Sequence, residues 1–262
     1  MKKKLTAIFL CVALVAIAVV GASLAYFTDT EKATNTFTAG GVKINLIEQQ
    51  VNKEGTKLEE FKQGQVLMPI VGSAQGEKDN FGQPVAENYI DKIVTIQNTG
   101  KSDAYVRAYF AIPSALDNGY EDFNAGANIL HFNFGNENGV STEDVQWKWT
   151  HDSKWNYFET TIDNVAYNVY YADYYQPLKA DATTEQFISG VYLDSNVNMN
   201  AEGNYIDPRF PNADLSILKG TVSCPVMAVA VQADGFKTVD DAITAAFGAK
   251  YNPWGGTATN WQ

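Results

Sequence analysis

The chain has 262 residues with 30 acidic and 19 basic side chains, which gives a formal net charge of −11. Its bases form no cluster beyond the N-terminal lysines, which argues against nucleic acid or an anionic membrane surface as a partner. Of the two cysteines, Cys11 lies in an N-terminal apolar run and Cys224 near the other end. Without Cys11 no intramolecular disulfide can form, so packing must stabilise the remainder.

The N-terminus has the pattern of a signal peptide. Three lysines precede an apolar stretch from Leu5 to Val20, shorter than the about 20 residues that a membrane-spanning helix needs. Small side chains at Ser23 and Ala25 predict cleavage between Ala25 and Tyr26. Residues 1–25 are therefore predicted to be removed, although an uncleaved anchor is the alternative. Their loss takes the net charge to −14, because the three removed charges are all positive.

The remaining chain reads as short strands rich in Val, Ile, Thr, Tyr and Phe, separated by Gly, Asn and Asp clusters. This pattern predicts an all-β fold, an antiparallel β-sandwich, as a single domain over residues 41–262. Segments 50–88 and 113–142 have few apolar residues and are predicted to be long loop insertions. The predicted strands cover residues 42–49, 91–100, 104–113, 145–150, 164–175, 184–193 and 221–233.

Two local patterns are more specific. The turn sequence NTGKSD predicts that strands 91–100 and 104–113 form a hairpin, or follow each other through Gly100. Alternation in the second strand predicts one apolar face, made by Val106, Ala108, Phe110 and Ile112.

One helix is predicted near the C-terminal end. Thr238, followed three residues later by Asp241, resembles a capping box, and Gly248 follows a run of apolar residues at helical spacing. We expect this short helix to pack on the edge of the sheet.

No catalytic motif is present. His131 and His151 belong to no HExxH pattern, no serine lies in a GxSxG or SxxK motif, and no glycine-rich loop precedes a helix. The prediction is that the protein is not an enzyme and has no cofactor. Segments 117–126 and 194–204 have oxygen ligands at close spacing, which leaves a bound calcium ion as an open alternative, although neither segment matches an EF-hand loop.

The aromatic belt from Trp147 to Tyr175 allows two interpretations. Trp147, Trp149 and Trp155 could form an exposed platform that stacks on sugar rings, as in a polysaccharide-binding module. Because Trp147 and Trp149 must share one face of a strand, the interpretation as core residues and cross-strand pairs is favoured.

Four segments resemble a known family. They are SLAYFTDTEKATNTFTAGGVKINLIE, IVTIQNTGKSDAYVRAYFAIP, YYADYYQPLKADATTEQFISGVYL and AVAVQADGFKTVDDAITAAFG. In this order they resemble the SipW-dependent exported proteins of Gram-positive bacteria, which include TasA, camelysin (CalY) and BsaA-type biofilm matrix proteins. The turn KADATTE departs from the family's usual Gly-Glu-Thr-Thr form at Asp181 and Ala182.

The resemblance implies a jelly-roll-like sandwich, cleavage by a SipW-type signal peptidase and self-assembly into homopolymeric fibres, in the extracellular matrix or on the cell surface. Other matrix proteins or polysaccharide are further implied partners, and membrane contact is limited to the signal peptide. Camelysin-like members have been classed as metallopeptidases, so a secreted metallopeptidase is another alternative.

The resemblance also implies that residues 26–40 form a donor strand, which completes the sheet of the next subunit. The residue types agree, because Tyr26, Phe27 and Phe37 lie among polar residues such as Thr36 and Thr38, and such a strand can extend an exposed sheet edge. The alternative is an intramolecular N-terminal strand.

Overall fold

The computed structural model describes residues 28–32, 41–118, 128–134, 146–152 and 154–262, and for 28–32 it describes only the backbone. The predicted cleavage site and the aromatic residues of the donor segment lie outside these ranges: Ser23, Ala25, Tyr26, Phe27, Thr36, Phe37 and Thr38. Within the described ranges, no helix is long and apolar enough to cross a membrane.

Two antiparallel sheets pack face to face, which confirms the predicted β-sandwich. The first, which we call the front sheet, has seven strands. Six of them follow one another in space, and β7 pairs with the free end of β11. In spatial order the front sheet contains β1 (Thr28–Lys32), β15 (Val226–Gln232), β5 (Ala104–Pro113), β11 (Val165–Tyr174), β10 (Tyr157–Ile162) and β16 (Ala258–Thr259), with β7 at Trp147–Lys148.

The back sheet has five strands. In spatial order they are β3 (Leu58–Glu60), β2 (Ile44–Val51), β4 (Ile90–Asn98), β12 (Ile188–Leu193) and β6 (Leu130–Phe134). Two small hairpins complete the strands: β8 (Thr150–His151) with β9 (Lys154–Trp155), and β13 (Asn198–Met199) with β14 (Tyr205–Ile206).

The helix α1 (Val239–Phe247) forms as predicted. Thr238 Oγ1 accepts a hydrogen bond from the Asp241 backbone N–H at 3.1 Å, and Gly248 ends the helix. The expected position at the sheet edge is wrong, because Val239, Ala242 and Ile243 pack on the outer face of the front sheet. A helix with one apolar face buries more area on a sheet face than beside its edge.

Strand β5 is buried on both faces, so the prediction of a single apolar face is incomplete. Val106, Ala108, Phe110 and Ile112 face the core between the sheets. The opposite face, with Tyr105 and Tyr109, belongs to a second apolar layer under α1.

The predicted hairpin of β4 and β5 is wrong, and the alternative of two sequential strands holds. β4 pairs with β2 and β12 in the back sheet, whereas β5 pairs with β11 and β15 in the front sheet. The turn between them crosses from one layer to the other. A side chain at Gly100 would lie 2.6 Å from both Gly41 O and Lys43 N, so only glycine permits this close crossing.

Segment 113–142 is more than a loop insertion. Leu130–Phe134 forms β6, which pairs with β12 at the edge of the back sheet. The strand is only five residues long, and Leu130, Phe132 and Phe134 alternate with polar residues. Such a short alternation is not enough to distinguish a strand from the loop sequence around it. Segment 50–88 likewise contains β3.

A buried ion pair fastens the second apolar layer to the sheet. Arg107 on β5 is 5% exposed, and its guanidinium binds both oxygens of Asp173 on β11, at 2.6 and 2.9 Å. The same guanidinium reaches Asp240 of α1 at 3.2 Å and lies over the Tyr171 ring. One cation thus joins two strands and the helix.

We expect Asp173→Asn to lower the free energy of unfolding by about 3 kcal/mol, because the buried Arg107 charge loses its bidentate carboxylate and keeps only the exposed Asp240. Asp240→Asn is the matched control and should cost much less, because the Asp240 side chain is 74% exposed. Urea unfolding of both variants checks this. Equal losses would show that the buried pair does not contribute as proposed.

Candidate functional site

Strand β15 has the composition of a sheet interior. Six of its seven residues are buried. Val226, Ala228 and Ala230 belong to the core between the sheets, whereas Val229 and Val231 belong to the layer under α1. A strand that is apolar on both faces needs backbone partners on both sides, because its open edge would pair with other chains.

The inner side of β15 pairs with β5, and its outer side pairs with β1. The β1 register runs antiparallel from Thr28 opposite Val231 to Lys32 opposite Met227. β1 therefore covers the edge that β15 would otherwise expose.

The covering strand differs from the strand it covers. Residues 28–32 read TDTEK and contain no large apolar side chain. Backbone hydrogen bonds rather than core burial must therefore supply most of its attachment. Residues 33–40, if extended, would let the strand reach about 30 Å from Gly41.

The structure thus has residues 28–32 in the intramolecular arrangement, which was the alternative to donation. It also identifies the edge that a donor strand of this register would occupy, which sequence reasoning did not find. The signal available for it was the run VMAVAV at 226–231, which is apolar at odd and even positions alike.

The tryptophans do not form the exposed platform. Trp147 is 1% and Trp149 5% exposed, and Trp155 is half-buried. Trp149 stacks on Phe187 at 4.5 Å, and the Trp149 and Trp155 rings are inclined by 81° to each other, so they make no flat surface for a sugar. The interpretation as core residues is confirmed for Trp147 and Trp149, because they fill the space between the sheets.

The two histidines lie in separate environments. His131 on β6 is buried, and its Nε2 lies 2.8 Å from Asp194 Oδ2. His151 is exposed beside Asp152. In the described part of the chain, no three His, Cys, Asp or Glu side chains are grouped so that they could hold a metal ion.

Asp194 belongs to a polar cluster at the back sheet. Besides His131 it contacts Arg209 Nη2 at 3.0 Å, and the same nitrogen lies 2.7 Å from Asp207 Oδ2. Arg209 thus supplies the positive charge between these carboxylates.

Of the two segments considered for calcium, 194–204 begins with the ion-paired Asp194. In 117–126, residues 119–126 lie outside the described ranges, and Asp117 is buried and accepts hydrogen bonds from Asn168 and Tyr170.

Cys224 is a free cysteine just before β15. Burial raises the pKa of its thiol to about 12, so the reactive thiolate is rare at neutral pH. The side chain packs against the core between the sheets as a small apolar group.

The fold and this edge define a class: a two-sheet β-sandwich in which an N-terminal strand closes a strand edge. Residues 1–68 match the sequence profile of a family described as camelysin metallo-endopeptidase. The match confirms the resemblance to the TasA and camelysin proteins for the first 68 residues, which contain the signal-like segment, β1, β2 and β3. No curated protein and no solved structure gives a significant match.

The buried histidine predicts a pH effect on stability. Burial lowers the pKa of His131 in spite of the neighbouring Asp194. Its unfolded form therefore takes up a proton first, so the free energy of unfolding falls as the pH drops below about 6.5. We expect His131→Gln to remove this contribution, so that stability depends less on pH between about 7 and 5.

The control is His151→Gln, which replaces the exposed histidine and leaves the His131–Asp194 contact in place. Burial raises the pKa of Asp91 to about 6, so Asp91 titrates in the same range. The contribution of His131 is therefore the difference in the pH dependence of stability between the variant and the parent. Thermal unfolding across this pH range measures it. Identical slopes in the parent and His131→Gln would contradict the assignment.

Proposed function

We propose that this protein is a secreted structural subunit of extracellular matrix or pilus-like fibres, in which β1 of one copy pairs with β15 of the next. Residues 1–25 would direct export as a signal peptide, and cleavage by a SipW-type signal peptidase would then leave Tyr26 as the first residue. The observation that carries the proposal is the pairing of polar Thr28–Lys32 with the apolar strand Val226–Gln232.

The physical argument is that the two arrangements share their contacts. A strand from a neighbouring copy can make the same antiparallel backbone hydrogen bonds to β15 that β1 makes within its own chain. The two arrangements differ in chain entropy, and pairing between copies also depends on the local concentration of subunits. Because the donor and the acceptor are different surfaces, the contact is head-to-tail and can repeat without closing, which gives a fibre.

Truncation tests whether the N-terminal segment is needed. We expect a chain of residues 26–262 to form fibres visible by electron microscopy, and a chain that starts at Gly40 to form none through this edge. Circular dichroism of the shorter chain checks that it folds. Equal fibre formation by two folded chains would contradict the donor-strand mechanism.

Disulfide trapping tests the partner strand without truncation. In a Cys224→Ala background, Thr30→Cys is paired with Val229→Cys and, separately, Asp29→Cys with Ala230→Cys, because each pair lies opposite in the β1–β15 register. Adjacent register pairs alternate in spacing, so one of the two has the closer Cβ atoms that a disulfide needs.

Double variants oxidised as monomers should be locked within one chain and form no fibres until reduced. Mixed single variants should give disulfides between chains inside fibres. Fibre growth by the locked monomer, or fibres without any interchain disulfide, would contradict the proposal.

The family description raises a second candidate, a secreted metallo-endopeptidase. Our proposal is that the chain is not an enzyme. The purified protein should therefore show no casein cleavage that a chelator abolishes. If such cleavage occurs, is lost in His131→Ala and is kept in His151→Ala, the assignment as a metallo-endopeptidase replaces the assignment as a structural subunit.

A further inference from the structure

The front sheet has a second edge, and a segment distant in sequence from its neighbours covers it. We call residues 257–262 the strap. Its strand β16 pairs with Glu159 and Thr160 of β10. Beyond this pairing, the Gln262 backbone N–H donates to Tyr157 O at 3.0 Å. The strap therefore covers about half of β10 and attaches through few backbone bonds.

One aromatic side chain and two side-chain hydrogen bonds anchor the strap. Thr160 Oγ1 donates to Thr257 O at 3.1 Å, and Asn260 Nδ2 donates to Glu159 Oε2 at 2.8 Å. Trp261 stacks on Phe158 with ring centres 4.2 Å apart and an angle of 20° between the rings. Its other aromatic neighbour is Tyr171 at 6.3 Å. Phe158 is fully buried, whereas Trp261 is half-buried, so the indole closes a slot that the sheet supplies. The slot accepts an extended segment with one aromatic side chain.

The strap leaves the body of the protein at a glycine pair. Asn252 fixes the preceding turn, because its Oδ1 accepts the Trp254 backbone N–H and its Nδ2 donates to Gly255 O. Gly255 and Gly256 have φ angles of +77° and +76°, and added Cβ atoms there would touch nothing. Gly255 belongs to this turn, because its N–H also donates to Asn252 O. Gly256 lies beyond it, so a change in the backbone angles of Gly256 can turn the strap outward without disturbing the fixed turn.

We propose that the strap exchanges between two copies of this chain: the strap of each copy occupies the β10 edge and the Phe158 slot of the other. Exchange conserves the strap's contacts, because the slot and the strap are the same in both copies. Release requires only local opening of a short strand, which costs far less than global unfolding.

The geometry also fixes the kind of assembly. Six residues span about 20 Å when extended, so the two β10 edges must lie next to each other. Each copy both gives a strap and receives one, so the contact is reciprocal and closes as a dimer. This inference goes beyond the proposed fibre and does not depend on it, because it uses the opposite edge of the front sheet.

Mixing two cysteine variants tests the exchange. In the Cys224→Ala background of the 26–262 chain, Glu159→Cys is mixed with Thr259→Cys, because these residues lie opposite each other in the β10–β16 register. The control mixes Thr161→Cys with Thr259→Cys, which the same register places two residues out of step. We expect about tenfold more interchain disulfide from the matched pair, since offset cysteines rarely reach bonding geometry.

A single chain that carries both Glu159→Cys and Thr259→Cys is the positive control, because its intrachain disulfide shows that the two positions can react. If that bond forms but the mixed variants give no more interchain disulfide than the offset pair, the exchange is overturned.

Fibre formation does not affect this readout, since copies joined only through β1 keep their straps in place. Fibres without the 159–259 bond would overturn this inference alone, and the bond without fibres would overturn the proposed function alone.

A peptide competition identifies the slot. A peptide with the sequence of residues 255–262, in excess, should lower the interchain yield of the matched pair, whereas the peptide with Trp261→Ala should not. Equal effects of the two peptides would contradict the role of the aromatic anchor.

Discussion

The open edge of β15 is the constraint on which the rest of this structure depends. The strand is buried on both faces because it lies between the sandwich core and the layer under α1. Its faces therefore cannot carry the charged side chains that normally protect an edge strand, so protection must come from another strand. That strand is β1, a polar segment joined to the body through eight residues. A strongly apolar edge covered by a polar strand is the physical basis on which we propose strand addition between subunits.

The second apolar layer explains why the edge has this character. α1 turns the outer face of the front sheet into an interior, and that interior contains the Arg107 charge, which Asp173 must balance. Burial on both faces stabilises the interior strands of the front sheet, and our two proposals concern only its two edges. Segments near the two ends of the chain, β1 and the strap, cover these edges. The body would then remain folded while either cover moves to another copy.

Much of the fold could be predicted because strands carry local signals. The alternation in Ala104–Pro113 and the apolar run of Val226–Gln232 placed those strands to within a few residues, and the Thr238 cap placed the helix. Pairing could not be predicted in the same way. The turn at Gly100 has the composition of a hairpin, but whether its strands pair or separate into two layers depends on contacts with distant segments such as β2 and β15. The aromatic belt was ambiguous for the same reason, since only packing against Phe187 decides that Trp149 is buried.

The sequence by itself determined the all-β class, the single cysteine of the predicted mature chain, and an N-terminal region that combines an export-type segment with a strand-forming one. These properties follow from composition, charge and short periodicities, which can be read without knowledge of the fold. Only the tertiary structure decided which strand accepts Thr28–Lys32, and that a strap closes the opposite edge. An edge is the side of a strand that has no neighbouring strand. Strands that pair across about 200 residues of chain, as Thr28 and Val231 do, leave no local pattern in the sequence. The N-terminal segment is thus visible in the sequence, but its partner is visible only in the fold.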